Sequence, residues 1–146
     1  MTAKEYLMQI QWQAKAVQRA EDHLKEMRYQ AESPRSASYA ITRSPLPSNE
    51  DHMASNMVRL EQAQNALYKE CVKLLMIRND IIQKLWDMDN KMYGELLLCM
   101  YYDLEPLRAT AKRMDYSEDY IRNLHGKALK AFAEQYHKEL EQDDRG

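Results

Sequence analysis

The chain has little of what β-folds and disulfide frameworks are made from. Three Gly and four Pro among 146 residues leave too few tight turns for a sandwich or barrel. Two cysteines, Cys71 and Cys99, stand far apart, with no Cys-x-x-Cys pair and no His at metal spacing. They read as small apolar residues on helix faces. The N-terminus lacks the basic-then-apolar pattern of a secretory leader. Leu96 to Tyr102 is apolar throughout but falls far short of the ~18 residues that would span a bilayer. A cytoplasmic protein with no membrane partner is expected. Enzyme signatures are missing as well: no phosphate-cradling Gly-rich loop, no Gly-x-Ser-x-Gly elbow, no His-Glu-x-x-His. The carboxylates are interleaved with Lys and Arg, as on solvated helix faces. No catalytic residue, metal site or cofactor is expected.

What remains is dominated by Ala, Leu, Met, Gln, Glu and Lys, the residues that lose least on entering a helix. The expected fold class is all-α. Ala3, Leu7, Ile10, Ala14, Val17, Leu24 and Ala31 follow steps of four and three broken only by Glu21 and Arg28, a coiled-coil-like stripe. Thr2 with Glu5 can open that helix as a capping box. Residues 33–50 carry Ser and three Pro (Pro34, Pro45, Pro47) without an apolar period, and read as a linker. The rhythm resumes from Met53 through Met57, Leu60, Leu67, Cys71, Leu74, Ile81, Leu85, Met88 and Met92, with Gln64 and Arg78 in the seam. A heptad held so long needs a partner along its length. The first helix folded back antiparallel is one partner and a second copy of the chain is the other. Residues 1–90 are therefore expected to form a long helical hairpin. The second stripe outlasts the first, which favours a homodimer or docking onto the C-terminal part.

The net charge is −2, but its distribution is uneven. Between Pro106 and Ala133 six cations face three acids, a local charge of +3, while Glu134–Gly146 carries −3. A basic segment beside an acidic tail fits a DNA-facing element, and equally a solvated helix face.

Residues 91–146 break into shorter helical pieces: Lys91–Asp103, Pro106–Met114, a turn at Asp115–Ser117, and a last helix from Glu118 to about Leu140. The spacing is that of a helix-turn-helix. Ala111 supplies the small residue where two helices cross, and Asp115 stands where the chain must turn with positive φ, a region Asp tolerates. Ile121 supplies the aliphatic plug pointing back. Met114, Tyr116, Leu124, Leu107, Ala128 and Leu129 fill the remaining apolar slots, and Thr110 occupies one as well. Ser117 is the expected N-cap, with Glu118 and Asp119 facing the positive helix end.

On these residues, and on Tyr116-Ser117, Leu124-His125-Gly126 and Lys127-Ala128-Leu129 in particular, Leu104–Phe132 resembles region four of a sigma factor. The chain is similar, over most of its length, to phage-encoded transcriptional activators of the RinA and ArpU type. That similarity extends to the opening Met1–Leu7 and to Met53-Ala54 after the linker. Thr110 and Asp115 depart from the family, which has an aliphatic residue and glycine there. The resemblance implies a regulator of phage late genes that binds double-stranded DNA near promoters, with RNA polymerase as a further partner.

In such a motif the last helix lies in the major groove. Ser117, Glu118, Tyr120, Arg122, Asn123 and Lys127 form its expected exposed set. Arg122 suits guanine and Asn123 adenine; Ser117 and Tyr120 suit phosphates. Arg108, Lys112, Arg113, Lys127 and Lys130 supply sequence-independent phosphate contacts. Arg122 can instead pair with Asp119 or Glu118. With so few cations, affinity requires two copies or help from the polymerase. The competing reading is a non-enzymatic interaction module that binds RNA polymerase, a sigma factor or a phage protein without touching DNA.

Overall fold

The computed structural model describes residues 1–32 and 49–145, and among them all regular structure is helical. The protein is all-α. The elements are α1 (Ala3–Glu32), α2 (Asn49–Trp86), α3 (Lys91–Leu97), a π-helical segment (Leu98–Tyr102), α4 (Leu107–Met114), α5 (Glu118–Gln135) and α6 (His137–Arg145). None of the described helices is long and apolar enough to cross a membrane. The expected linker lies outside the described residues except for Asn49 and Glu50, which already belong to α2.

The chain groups into two compact units, Met1–Ala14 with Leu74–Gly146, and Lys15–Lys73. In the first unit the opening turns of α1 share a core with the end of α2 and with the helices that follow it. In the second unit, Leu24 and Ala63 are buried. Ala31, near the end of α1, lines a pocket of about 110 Å³ with Met53, Asn56, Met57 and Leu60 of α2. Met53 and Met57 nevertheless remain largely exposed.

The first unit holds the main core. Leu7 and Ile10 of α1, Ile81 and Leu85 of α2, Met88, Leu96 and Leu97, and Ile121, Ala128 and Phe132 of α5 are all buried in it. The stripe expected of α2 is thus used most fully at its C-terminal end. Thr2 Oγ1 accepts from the Glu5 N–H at 3.1 Å, the N-cap half of the expected capping box. After α2, Asn90 caps α3 by accepting from the Met92 and Tyr93 N–H groups at 3.0 and 3.3 Å. Gly94 is required here: a Cβ on it would lie 2.6 Å from the Leu85 carbonyl oxygen, so only glycine allows α3 to cross the end of α2 this closely.

The expected single helix over 91–103 changes character midway. Beyond Leu97 the hydrogen bonds step to five residues back, Asp103 N–H donating to the Leu98 carbonyl at 2.9 Å. Leu104 then turns with φ of 57°. The expected helix from Glu118 to about Leu140 is likewise interrupted. Tyr136 leaves the helical conformation at φ −116° and ψ 27°, and the acidic tail re-forms as α6. The cause lies in the bonds made at that point. Tyr136 Oη donates to the Lys84 carbonyl at 2.6 Å, Gln135 Nε2 donates to the Asp87 carbonyl at 3.0 Å, and Gln135 Oε1 accepts from the Asp89 N–H at 3.3 Å. The end of α5 is thereby tied to the end of α2, and α6 restarts so that Leu140 enters the core.

The Tyr6 hydroxyl donates to Asp80, which also accepts from Lys84 at 2.8 Å. The Lys84 ammonium lies over the rings of Tyr6 and Tyr136 at 5.6 and 5.9 Å. Burial alone would raise the Asp80 carboxyl, but the hydrogen bonds from Lys84 and Tyr6 outweigh it and hold the carboxyl below its ordinary value.

Candidate nucleic-acid interface

Helix α4 is short and ends in a left-handed turn at Asp115, φ 64° and ψ 42°. The Tyr116 N–H reaches back to the Ala111 carbonyl at 3.0 Å and the Asp115 N–H to the Lys112 carbonyl at 3.3 Å. This paired pattern closes a helix when its C′ residue accepts positive φ. Asp115 therefore does what its spacing predicts. Ser117 follows in extended conformation and caps α5, its Oγ accepting from the Tyr120 N–H at 3.2 Å. Glu118 and Asp119 sit in the first turn of α5, where the positive end of the helix dipole favours them.

Three apolar anchors set how α5 is rotated. Ile121, Leu124 and Ala128 are buried, as is Ala111 on α4. Thr110 is fully buried as well, and its Oγ1 has no hydrogen-bond partner among the described residues. Met114, Leu107 and Leu129 pack against the core from its edge. Tyr116 does not occupy an apolar slot: it is 45% exposed and lies against Tyr120, ring centroids 4.7 Å apart. The two rings form an aromatic pair outside the core, at the start of α5.

With those anchors inward, Ser117, Glu118, Tyr120, Arg122, Asn123 and Lys127 all fall on the exposed surface of α5, together with Lys130 farther along. Arg108, Lys112 and Arg113 are exposed on α4. The cations do not form one free basic field. Arg108 Nε donates to Glu118 Oε1 at 3.1 Å, and Arg122 Nη1 to Asp119 Oδ1 at 2.9 Å. Arg113 bridges Glu105 at 2.6 Å and Asp103 at 3.6 Å. The sequence contains the signal for the Arg122–Asp119 pair in its i, i+3 spacing. The other three pairs join α4 to α5 or to the connection before α4, so no helix spacing announces them. The exposed Arg108–Glu118 and Arg122–Asp119 pairs contribute roughly 0–1 kcal/mol each, small enough for a phosphate to replace the carboxylate, whereas Glu105 is largely buried beneath Arg113.

One residue of this helix carries a contact absent from the sequence reading. His125 is half-buried, and the Tyr101 hydroxyl on the π-helical segment lies 2.7 Å from its Nε2. The rings are stacked with centroids 5.7 Å apart. Burial, with the nearby Lys4 cation, pushes the imidazole below its ordinary pKa of 6.5. The Tyr101–His125 bond ties the middle of α5 to the segment before α4. The wider π-turn that aims Tyr101 is not readable from residue spacing, which explains why the pair escapes a sequence search.

Among the described residues no cluster of His, Cys, Asp and Glu is arranged to hold a metal ion. Cys99 is buried and its thiol is pushed upward mainly by that burial. Comparison with protein families, with curated proteins and with solved structures finds no match for this chain.

Proposed function

We propose that the protein is a sequence-specific DNA-binding transcriptional regulator of the sigma region-four-like, RinA/ArpU type, which inserts α5 into the major groove from a helix-turn-helix formed by α4 and α5. One observation carries the reading. A short helix closed by left-handed Asp115 hands over, within three residues, to a Ser-capped helix whose buried Ile121 and Leu124 turn Arg122 and Asn123 outward. Arg122 reads guanine and Asn123 reads adenine by bidentate contacts. Arg108, Lys112, Arg113, Lys127 and Lys130 hold the phosphates. Late or packaging genes of a phage or prophage, read in the cytoplasm beside RNA polymerase, are the setting that the sequence resemblance favours.

The test uses duplexes selected by the full-length protein from a randomised pool, with binding followed over a salt series. Affinity for the selected duplex falls steeply as salt rises. Replacing both Arg122 and Asn123 by Ala removes the preference for that duplex over an unrelated one while the helical content stays unchanged. A protein that enriches no sequence at any salt sinks the proposal.

A second reading is favoured by two specific observations. The three arginines nearest the would-be groove are already paired with carboxylates, and Tyr116 and Tyr120 present bare aromatic surface beside them. Both features suit a module that docks on a protein such as RNA polymerase or a sigma factor. Co-purification with the polymerase, in the absence of any DNA selection, supports this alternative.

A further inference from the structure

Gly126 stands in the middle of α5, and nothing in the protein's own packing accounts for it. A glycine inside a helix is the least favourable residue apart from proline. A Cβ built on Gly126 meets no atom of the described residues within 4 Å, so no described element needs the space. Gly126 does not have positive φ, so backbone conformation does not require it either. Gly94, where an added Cβ would collide with the Leu85 carbonyl, shows what a glycine required by internal packing looks like.

The surroundings of Gly126 are informative. At about 100° per residue, it falls on the side of α5 turned away from buried Ile121, Leu124, Ala128 and Phe132. Arg122 lies one turn before it and Lys130 one turn after, Lys127 adjoins it, and all three are exposed. Lys127 and Lys130 make no ion pair among the described residues. The helix therefore has a shallow notch with no side chain on its outermost face, bordered by Lys127 and Lys130 and by Arg122, which Asp119 holds. Such a surface is complementary to a bulky anion that comes close to the helix main chain.

Distance along the helix selects which anion. Gly126 is eight residues beyond Glu118, the first residue of α5, which corresponds to about 12 Å of helix. The major groove is also about 12 Å wide. A helix that places its first turns against base edges therefore meets the wall of the groove near Gly126.

We infer that Gly126 seats the sugar–phosphate backbone of duplex DNA against the main chain of α5, with Lys127 and Lys130 holding the flanking phosphates. The inference rests on the DNA-binding reading above and adds a contact point to it. A methyl group at this position separates the two surfaces while improving the isolated helix, so stability and binding move in opposite directions.

The experiment compares the full-length protein with Gly126→Ala. It records the melting temperature and the binding of two duplexes, one selected by the parent from a randomised pool and one unrelated. The variant is expected to melt at a higher temperature yet to bind both duplexes about tenfold or more weakly, because a backbone contact carries no sequence preference. A stabilised variant with unchanged DNA binding overturns the inference and leaves the DNA-binding reading standing. A lower melting temperature also overturns it, by showing that Gly126 has an internal role. If the parent protein enriches and binds no duplex at all, the DNA-binding reading itself falls and the notch falls with it.

Discussion

Arg122 and Asp119 are joined one turn apart on α5, Nη1 to Oδ1 at 2.9 Å, and both side chains face solvent, 62% and 90% exposed. The same helix thus carries the group best suited to read guanine and a carboxylate that holds it. An exposed i, i+3 pair is worth only a few tenths of a kcal/mol, so it positions the guanidinium without trapping it. The larger consequence concerns phosphate: Asp119 and Glu118 add negative charge where a DNA strand would pass.

Asp119→Asn should therefore tighten DNA binding, by roughly threefold to tenfold at low salt, with the gain shrinking as screening increases. Arg122→Ala should instead weaken the selected duplex by about 1–3 kcal/mol with little change for an unrelated one. Fluorescence anisotropy at two salt concentrations measures both. Equal affinities for the parent and Asp119→Asn would show that the carboxylate does not face DNA.

Thr110 places a hydroxyl in a fully buried slot without a hydrogen-bond partner. Val has nearly the same shape and no polar atom to desolvate. Thr110→Val is expected to raise unfolding stability by about 1–2 kcal/mol, read from urea denaturation with the slope unchanged. Loss of stability would mean that the hydroxyl has a partner in solution.

Gly94 gives the opposite sign from Gly126 for the same chemical change. Alanine is the better helix former, but its methyl would stand 2.6 Å from the Leu85 carbonyl oxygen and force α3 off the end of α2. Gly94→Ala should destabilise the protein by about 1–3 kcal/mol, visible as a lower melting temperature. A neutral or stabilising effect would show that the crossing relaxes without cost.

Much of α4 and α5 was legible because it depends on local rules. Ala111 is small, Asp115 tolerates positive φ, Ser117 caps, and Ile121 alternates correctly with the exposed positions; each fact sits within a few residues of its consequence. What escaped depends on contacts between distant segments. Nothing near Tyr136 in sequence says that its hydroxyl will seek the Lys84 carbonyl and break the last helix. Nothing near Leu98 announces the π-turn that brings Tyr101 to His125. Tyr116 misled because it is apolar enough for a core slot, yet it stands outside the core against Tyr120. The pairing of Arg108 and Arg113 depends on Glu118, on the next helix, and Glu105, in the connection before α4, neither at a helix-pair spacing.

His125 should make stability depend on pH in a defined direction. Its folded-state pKa lies below 6.5, through burial and the Lys4 cation, so on acidification the unfolded chain takes up the proton first. The stabilisation is fully present above that ordinary value and is lost progressively as pH falls below it toward the folded pKa. Gln can still share a hydrogen bond with the Tyr101 hydroxyl, as donor or acceptor, but does not titrate. His125→Gln is expected to flatten the decline in melting temperature between about pH 7 and pH 5 relative to the parent. Parallel curves for the two proteins would show that this imidazole is not the titrating group.

Leu75, Ile82 and Trp86 recur on α2 at steps of seven and four, and Leu75 and Trp86 remain 67% and 55% exposed. This is a second face, distinct from the one whose Ile81 and Leu85 enter the core. Heptad-spaced apolar residues left in water along a long helix are what a matching helix covers, and a second copy of α2 carries the same spacing. A dimer of this kind would also supply the two DNA-reading units that weak single sites need. Sedimentation equilibrium over a micromolar concentration series is expected to show a reversible dimer. Leu75→Glu should shift the protein to monomer and weaken DNA binding while the monomer's helical content is retained, since the side chain it replaces touches little of its own chain. A parent protein that stays monomeric at high concentration, or a Leu75→Glu variant that dimerises as well as the parent, would move the contact elsewhere.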